Sequence, residues 1–429
     1  MGFPNGPGTR AGGTCHCRHC GSPLSETFVD LGMSPLVQSF VQVDRLDEME
    51  PYFPLHVMVC SDCRLVQLRD YVSPAEIFCE YAYFSSYSPS WVEHARLYCE
   101  MIARRLGLHE NSRVVEIAAN DGYLLQHFLP LGIPVLGIEP AANVADAARA
   151  KGIPIVGEFF GLELAQQLVA EGRPADLIIG NNVFAHVPDL NDFVAGLKRL
   201  LAPEGVVTLE FPHLERLMVE NQFDTIYHEH FSYFSLLTAQ RVVRHHGLDV
   251  FDVEELPTHG GSLRIYLTHA DSSAHARAPR VDMVLERERH AGFEGRVAYT
   301  RFGERVRQSK RNLLSALIAL KNENKCIAGY GAPGKGNTLL NYCGIGTDFL
   351  DFTVDRNPYK HGLYTPGMHI PILPVEMIDE MKPDYLLILP WNLKSEIMEQ
   401  MKHIADWGGR FIVPIPEVEI IDPRGPARP

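Results

Sequence analysis

Nine consecutive residues, Tyr227 to Ser235 (YHEHFSYFS), set two histidines, a glutamate and two tyrosines among phenylalanines and serines. A set of this kind is equipped for proton transfer. Neutral imidazole, with an ordinary pKa near ~6.5, accepts a proton at physiological pH, and a phenol or second imidazole can donate a hydrogen bond to an oxygen that gains charge. Ionising a C–H bond beside a ketone needs both services, because carbon is not nucleophilic until it has lost its proton, whereas oxygen and nitrogen already are. The expected roles give the proton to His230 and set Tyr227 and His186, the latter in FAHVPD, beside the developing enolate. Glu229 would orient a ring or raise its basicity. The competing reading is an aromatic core strip of Tyr227, Phe231, Tyr233 and Phe234 that happens to carry solvated histidines.

Cysteine spacing points to a different chemistry. CHCRHCG supplies Cys17-x-x-Cys20 and VCSDCRL supplies Cys60-x-x-Cys63, and two such knuckles offer the four soft thiolates that tetrahedral Zn²⁺ prefers. Cys15 competes with Cys17 only through a looser loop. Four cysteines leave no open coordination position, so the metal is expected to be structural. A redox dithiol is the alternative, but nothing resembling a thioredoxin unit surrounds either knuckle. Cys79, Cys99, Cys326 and Cys343 stand among apolar neighbours and read as buried thiols.

These side chains need a frame. From about residue 90, helical periodicity alternates with short apolar runs: WVEHARLYCEMIARRLGL reads as helix, RVVEIAA as strand, DGYLLQHFLPLG as helix and PVLGIEP as strand. IPIVGEFF, ADLIIGNNVFAHV and GVVTLEFP continue the series. The pattern predicts an α/β fold, a parallel sheet with helices on both faces and ligands beyond the carboxyl ends of its strands. Candidate cofactor residues on that edge are Ala118, Asn120, Gly122 and Tyr123 after the first strand, Glu139 and Pro140 after the second, Glu158 and Phe159 after the third, and Asn181 and Asn182 after the fourth. Glu139 is placed to accept hydrogen bonds from ribose hydroxyls. No G-x-G-x-x-G marks the first turn, so a cofactor without a pyrophosphate fits better. YHEHFSYFS falls between the fifth strand, GVVTLEFP, and the following helix, LTAQRVVRHHG, above the same edge. His186 lies just past the fourth strand.

Further along, FDVEELPTHGGSLRIYLTHA reads as closing strands joined by a tight turn at Gly260 and Gly261. Residues 271–324 read as a helical connector whose charges form a solvated face. KCIAGYGAPGKGNTLLNYCGI then gives a strand, a glycine-rich loop and a helix. Gly329, Gly334 and Lys335 match the start of a phosphate loop, but Gly336 stands where Ser or Thr would hold Mg²⁺, which disfavours nucleoside triphosphate hydrolysis. Backbone N–H groups at the helix start, with Lys335, can still hold a diphosphate. The candidate substrate residues here are Gly331, Lys335, Gly336, Asn337, Asp355, Arg356, Lys360, His361 and Trp391. Tyr81, Phe84 and Ser85 in EYAYFSSYSPSW join them as groups that could close over a base or sugar.

The chain of 429 residues is long enough for several domains. The expected divisions are a disordered glycine- and proline-rich lead-in at 1–14, a zinc-binding domain at 15–80, the doubly wound domain at 81–270, the connector at 271–324 and a second Rossmann-like domain at 325–429. A formal net charge of −14 without a basic run disfavours nucleic acid and anionic membranes as partners. No apolar run approaches the ~20 residues of a membrane span. Nine cysteines, an odd number, without an export signal suit a cytoplasmic protein rather than a disulfide framework.

VVEIAANDGYLLQHF, with GIEP and NNVFAHVPD, resembles the S-adenosylmethionine (SAM) site of class I methyltransferases, with Ala118 and Ala119 where that family usually carries glycine. Across nearly its full length, from CRHCG through VCSDCRLVQL, YHEHFSYFS, HGGSLRIY and GYGAPGKGNT, the chain resembles the three-domain SAM-dependent sugar C-methyltransferases of antibiotic deoxysugar pathways. The resemblance implies a zinc-binding module, a central class I SAM methyltransferase domain and a C-terminal domain that shares binding of a dTDP-linked 4-keto-deoxysugar. It also implies methylation at C-3', with His230 as base and Tyr227, Glu229 and His186 as its partners. A 3-amino-2,3,6-trideoxy-4-keto hexose, as in nitrosugar pathways such as that of tetronitrose, is the preferred substrate, and a monomer the expected assembly. The rival classes are a nicotinamide-linked sugar dehydrogenase or epimerase, which should show the missing glycine fingerprint, and a non-catalytic zinc-stapled scaffold, which leaves the His, Tyr and Glu cluster unexplained.

Overall fold

The computed structural model describes residues 15–69, 71–72 and 84–425, so the lead-in, Cys79 and Tyr81 lie outside the described residues. The chain gathers into two compact units, each drawn from three segments. The first comprises Met1–Glu26, Val59–Leu214 and Glu229–Arg296; the second comprises Thr27–Met58, Glu215–His228 and Val297–Pro429.

In the first unit seven strands form one sheet: β1 (Val114–Ile117), β2 (Val135–Ile138), β3 (Ile155–Val156), β4 (Ala175–Asn181), β5 (Leu201–Pro212), β6 (Leu248–Leu256) and β7 (Ser262–His269), in the order β6-β7-β5-β4-β1-β2-β3. Strands β1 to β5 pair in parallel, and β7 runs antiparallel to both β5 and β6. All four residues of β1 are buried, as expected for a strand covered on both faces. Helix Pro89–Leu106 starts with Pro89 behind a Ser88 cap and stops at Gly107, in the left-handed region at φ 62°. It buries Tyr98, Cys99 and Ile102 against Val114, Phe128 and Leu177. The sheet order reverses between β1 and β4, which makes their carboxyl ends the natural place for a ligand.

Two expectations change here. DGYLLQHFLPLG forms two 3₁₀ turns, Leu125–His127 and Leu129–Leu131, instead of an α-helix. Asn120 and Gly122 turn through positive φ, and Pro130 has no N–H to give, so too few residues remain for a longer helix. The supposed solvated connector contributes helix Pro279–His290, whose Glu288 is fully buried. That carboxylate meets His213 Nε2 at 2.7 Å and accepts the N–H groups of Leu236 and Leu237 at 2.7 and 2.8 Å. It thereby caps helix Leu236–His245 from outside.

The cysteine module enters this unit through a short antiparallel pair, Val66–Leu68 with Ser232–Tyr233, in the register Val66 to Tyr233 and Gln67 to Ser232. The histidine-bearing stretch is thus stitched directly to the segment that follows the second knuckle.

The second unit is built on β8 (Ile327–Tyr330), β9 (Phe352–Val354), β10 (Ile372–Leu373), β11 (Tyr385–Ile388), β12 (Arg410–Val413) and β13 (Glu419–Ile421), ordered β10-β9-β8-β11-β12-β13. Only the β12–β13 pair is antiparallel. The early strands Glu26–Ser34 and Phe53–Val59 pair with each other, and Phe28 stacks on Phe302 of helix Phe302–Asn322 at 4.6 Å. Among the described residues no helix is long and apolar enough to cross a membrane.

Candidate active site

The loop after β1 turns through three left-handed residues, Ala118 (φ 57°), Asn120 (φ 49°) and Gly122 (φ 73°). Two of them are not glycine, and backbone strain of this kind concentrates at functional turns. At Gly122 a Cβ would fall 2.3 Å from Ile153 Cδ1. Glu139, at the end of β2, pins the loop: Oε2 accepts the Asn120 N–H and Oε1 that of Ala141, both at 2.9 Å. Burial raises its pKa, and the two N–H groups oppose the rise. Each carboxylate oxygen keeps a second acceptor position, so the residue can still receive a ribose hydroxyl. Ser85 N donates to Asn120 Oδ1 at 3.0 Å, which lays the Phe84–Tyr87 segment on this loop. Tyr123 is buried beside Asn181 at the end of β4, and Asn182 Nδ2 lies 3.3 Å from His259 Nε2. Pro140 is half-buried, whereas Glu158 and Phe159 are exposed past β3.

On the same edge the rings of His186 and His230 meet edge to face, 4.7 Å between centroids. His186 ends the short turn after β4, and the Phe231 N–H donates to Ala185 O at 2.8 Å, which fixes the two histidines side by side. Burial pushes the His186 imidazole down to about 4, against a hydrogen bond with the Glu229 backbone, so this ring stays neutral at physiological pH. Burial also lifts the Glu229 carboxyl up to about 7. Phe231, Tyr233 and Phe234 point into the core, and Phe234 stacks on Phe184 at 4.1 Å. The aromatic strip and the polar cluster are therefore both present, carried by different residues of one stretch. Tyr227 and His228 belong to the second unit, where Tyr227 is half-buried and His228 Nε2 lies 3.3 Å from Pro54 O. The first unit brings together His186, Glu229 and His230.

The sulfur atoms of Cys17, Cys20, Cys60 and Cys63 all lie within 4.8 Å of one another. The Cys17–Cys63 and Cys20–Cys60 distances are 3.5 Å, close to the ~3.8 Å that four sulfurs at ~2.3 Å from a tetrahedral Zn²⁺ would show. Contact with Cys60 and Cys63 pulls the Cys17 thiol well below its usual value, and the same contact with Cys17 pushes the Cys63 thiol well above its own, as sulfurs packed this closely cannot all ionise without a cation between them. Gln67 Nε2 donates to Cys17 Sγ at 3.2 Å, the kind of outer contact that orients a ligand. The donor set fits zinc, and Cys15 is not part of it. Cys99 and Cys343 are buried as expected, but Cys326 is partly exposed: it lies just before β8, ahead of the buried run.

Against known proteins, the chain is 38% identical over 94% of its length to the C-methyltransferase NovU of Streptomyces niveus, and covers 96% of it. The chain belongs to this C-methyltransferase family. Three family models agree: residues 17–78 match a zinc binding domain, 91–253 a methyltransferase domain and 257–416 a C-methyltransferase C-terminal domain. A more distant relative, the ubiquinone biosynthesis O-methyltransferase of Bartonella tribocorum, is 26% identical over 23% of this chain and 40% of its own. A solved SAM-dependent methyltransferase from Mesorhizobium loti superposes with a TM-score of 0.33, at 16% identity, over 41% of this chain and 99% of that one. With a methyltransferase domain at 91–253 and a four-cysteine cluster inside its zinc binding domain, this C-methyltransferase uses SAM, which supplies the methyl group as an electrophilic sulfonium, and carries structural zinc.

The glycine-rich loop of the C-methyltransferase lies at the carboxyl end of β8, where the order of the second sheet reverses. Gly331 has φ 86°, and a Cβ there would come within 2.8 Å of Pro390. Asp355 Oδ2 accepts the Ala332 N–H at 2.7 Å, Lys360 Nζ donates to Ala332 O at 2.9 Å, and His361 Nε2 lies 2.7 Å from Asp355 O. Lys335 Nζ donates to Asn392 Oδ1 at 2.8 Å and sits 4.9 Å over the Trp391 ring. Trp391 Nε1 in turn donates to Asp224 Oδ2 at 2.7 Å. Desolvation pushes the buried Asp224 carboxyl up to about 6, with the Lys335 charge opposing it. Arg356 is exposed, 3.5 Å from Glu396. Gly336 and Asn337 are buried, and Asn337 Nδ2 donates to Val37 O at 2.7 Å, so this side chain is spent on holding backbone.

Sequence reasoning missed a polar network at the end of β5. Glu210 is fully buried and 2.7 Å from Arg264, 3.2 Å from His94 and 2.9 Å from Thr258 Oγ1. Burial works against its ionisation, but the hydrogen bond from His94 and the Arg264 charge prevail and hold it at about 2. The signal was a single acid in the otherwise apolar GVVTLEFP and a single arginine in SLRIY.

Proposed function

We propose that this C-methyltransferase methylates C-3' of a dTDP-linked 4-keto-deoxysugar, a 3-amino-2,3,6-trideoxy-4-keto hexose by preference, in antibiotic sugar biosynthesis. The observation that carries the reading is the pairing of half-buried His186 with buried His230 on the carboxyl edge of the first sheet, with buried Glu229 next to His230 in sequence. An O- or N-methyl transfer would need little beyond alignment, whereas a carbon acceptor needs a base. His230 removes the proton from C-3', which the neighbouring ketone acidifies. The electron pair moves onto the C-4 oxygen, where Tyr227 and neutral His186 stabilise the charge, and then returns through C-3' to take the methyl group. The products are the C-methylated ketone, demethylated SAM and a proton on His230. Ala118, Asn120, Gly122, Tyr123, Glu139, Pro140, Glu158, Phe159, Asn181 and Asn182 hold SAM in this reading. The glycine-rich loop with Lys335, Asp355, Arg356, Lys360, His361 and Trp391 holds the nucleotide diphosphate, with Tyr81, Phe84 and Ser85 near the base or sugar. The enzyme works as a cytoplasmic monomer, with domains at 15–80, 81–270 and 325–429 joined by the 271–324 connector.

His230→Gln supplies the test. With the dTDP-4-keto sugar in D₂O, wild-type enzyme should exchange the C-3' hydrogen and transfer methyl, and the variant should lose both by about 10²–10⁴-fold while still binding demethylated SAM. Methyl transfer by the variant at the normal rate would end the assignment.

A further inference from the structure

Arg18 lies between the two cysteines of the first zinc knuckle, yet its guanidinium serves the methyl-transfer edge. Nη1 donates to Pro188 O at 2.9 Å, just past His186. Nη2 donates to Leu68 O, and Leu68 N in turn donates to Phe231 O at 3.0 Å. The guanidinium carbon stands 5.4 Å above the Phe231 ring, next in sequence to His230. One planar fork thus clamps three segments: the strand after the second knuckle, the turn that carries His186 and the stretch that carries His230. The clamp is also tied to the metal ligands. Arg18 N–H donates to Gln67 Oε1 at 2.9 Å, and the same Gln67 amide donates to Cys17 Sγ at 3.2 Å. From the other side Asn191 Nδ2 donates to the carbonyls of Arg18 and His19 at 3.2 and 2.9 Å, and Asn191 Oδ1 lies 2.9 Å from His246 Nε2.

We propose that Arg18 is a positioning residue for the His186–His230 pair, so that the zinc knuckle, by fixing the backbone on both sides of Arg18, sets the geometry of the methyl-transfer edge. The proposal rests on the assignment of His230 as the base. A misplacement of about 1 Å at such a site is worth about 10²-fold in rate, so a residue that never touches substrate can have a large effect on turnover.

The test is Arg18→Met in the zinc-loaded, full-length enzyme, which keeps the bulk of the stem and removes the fork. Zinc content should match wild type and the KM for SAM should change less than about twofold, while kcat falls by about 10²-fold. The ring ¹H–¹⁵N signals of His186 and His230, assigned from single His→Gln variants, should shift and titrate differently. Arg18→Lys, which keeps the charge over Phe231 but cannot serve both carbonyls at once, should fall between the two. Should Arg18→Met fail to fold, Phe231→Leu removes the stacking partner from the opposite side and should move the same signals in the same direction. Unchanged kcat, unchanged histidine signals, or a loss of activity that only tracks lost zinc would overturn the proposal. Full activity in His230→Gln would instead overturn the base assignment, and the ring signals of Arg18→Met would still report on the clamp.

Discussion

Glu229 shows how one residue combines chemistry with a stability cost. Its carboxyl is raised on folding from the ordinary 4.5 to about 7 by burial. A carboxyl raised in this way favours the folded state fully below about pH 4.5, and that contribution is lost as the pH climbs through about 7. Glu229→Gln escapes the loss. The unfolding free energy of the variant relative to wild type should therefore rise between pH 4.5 and pH 8, by at most about 3 kcal/mol, in paired denaturant titrations. A constant difference would mean that the carboxylate finds a charge partner in solution. At this scale the sequence was informative about types and poor about directions. YHEHFSYFS announced imidazole and carboxylate together, and an aromatic core strip beside them, but nothing in its spacing said that Tyr227 and His228 would fall in the second unit while Glu229 and His230 stay in the first. The buried Glu210–Arg264 pair went unseen because each partner is a single charge inside an apolar strand, and their pairing across neighbouring strands depends on sheet order.

Elements decide whether those residues meet a cofactor. The turn after β1 holds its left-handed backbone at Ala118 and Asn120 without glycine there, with Glu139 tying down the Asn120 N–H. Gly122 has no such freedom: its φ is 73°, and a methyl group there would meet Ile153 at 2.3 Å. Gly122→Ala should cost about 1–3 kcal/mol of stability and weaken binding of demethylated SAM in calorimetry, with zinc content intact. Strands β1 to β8 were readable, since short apolar runs separated by helical periodicity have few other interpretations, whereas the two-residue β10 and the closing strands β12 and β13 are too short to stand out from their surroundings. The segment after Gly122 was not, because its helical pattern is real but the tight turn and Pro130 leave it no room. Glu288 was misread for a related reason: in a run dense with charge, nothing local distinguishes the one carboxylate that faces inward.

For the whole molecule, linear order hides which segments belong together. Each compact unit takes three separate stretches, and Glu215–His228 passes from one unit's account to the other's in the middle of the chain. No periodicity or composition shift marks those crossings, since they are matters of which faces find each other. A fragment ending at Arg296 should protect β1 to β7 from hydrogen exchange but leave Thr27–Met58 and Glu215–His228 unprotected; protection there would show that these segments are ordered without Val297–Pro429. The same arrangement bears on synthesis. Thr27–Met58 leaves the ribosome long before the residues from Val297 onward exist, an interval of roughly 10–50 s at ~5–20 residues per second. Throughout that wait Phe28 has no Phe302 to stack on and Val41 has no Tyr364 to exchange backbone hydrogen bonds with. A nascent chain in this state offers an uncovered strand pair to its neighbours on the same polysome, so the yield of active enzyme should depend on chaperone supply and translation speed as much as on the stability of the finished protein.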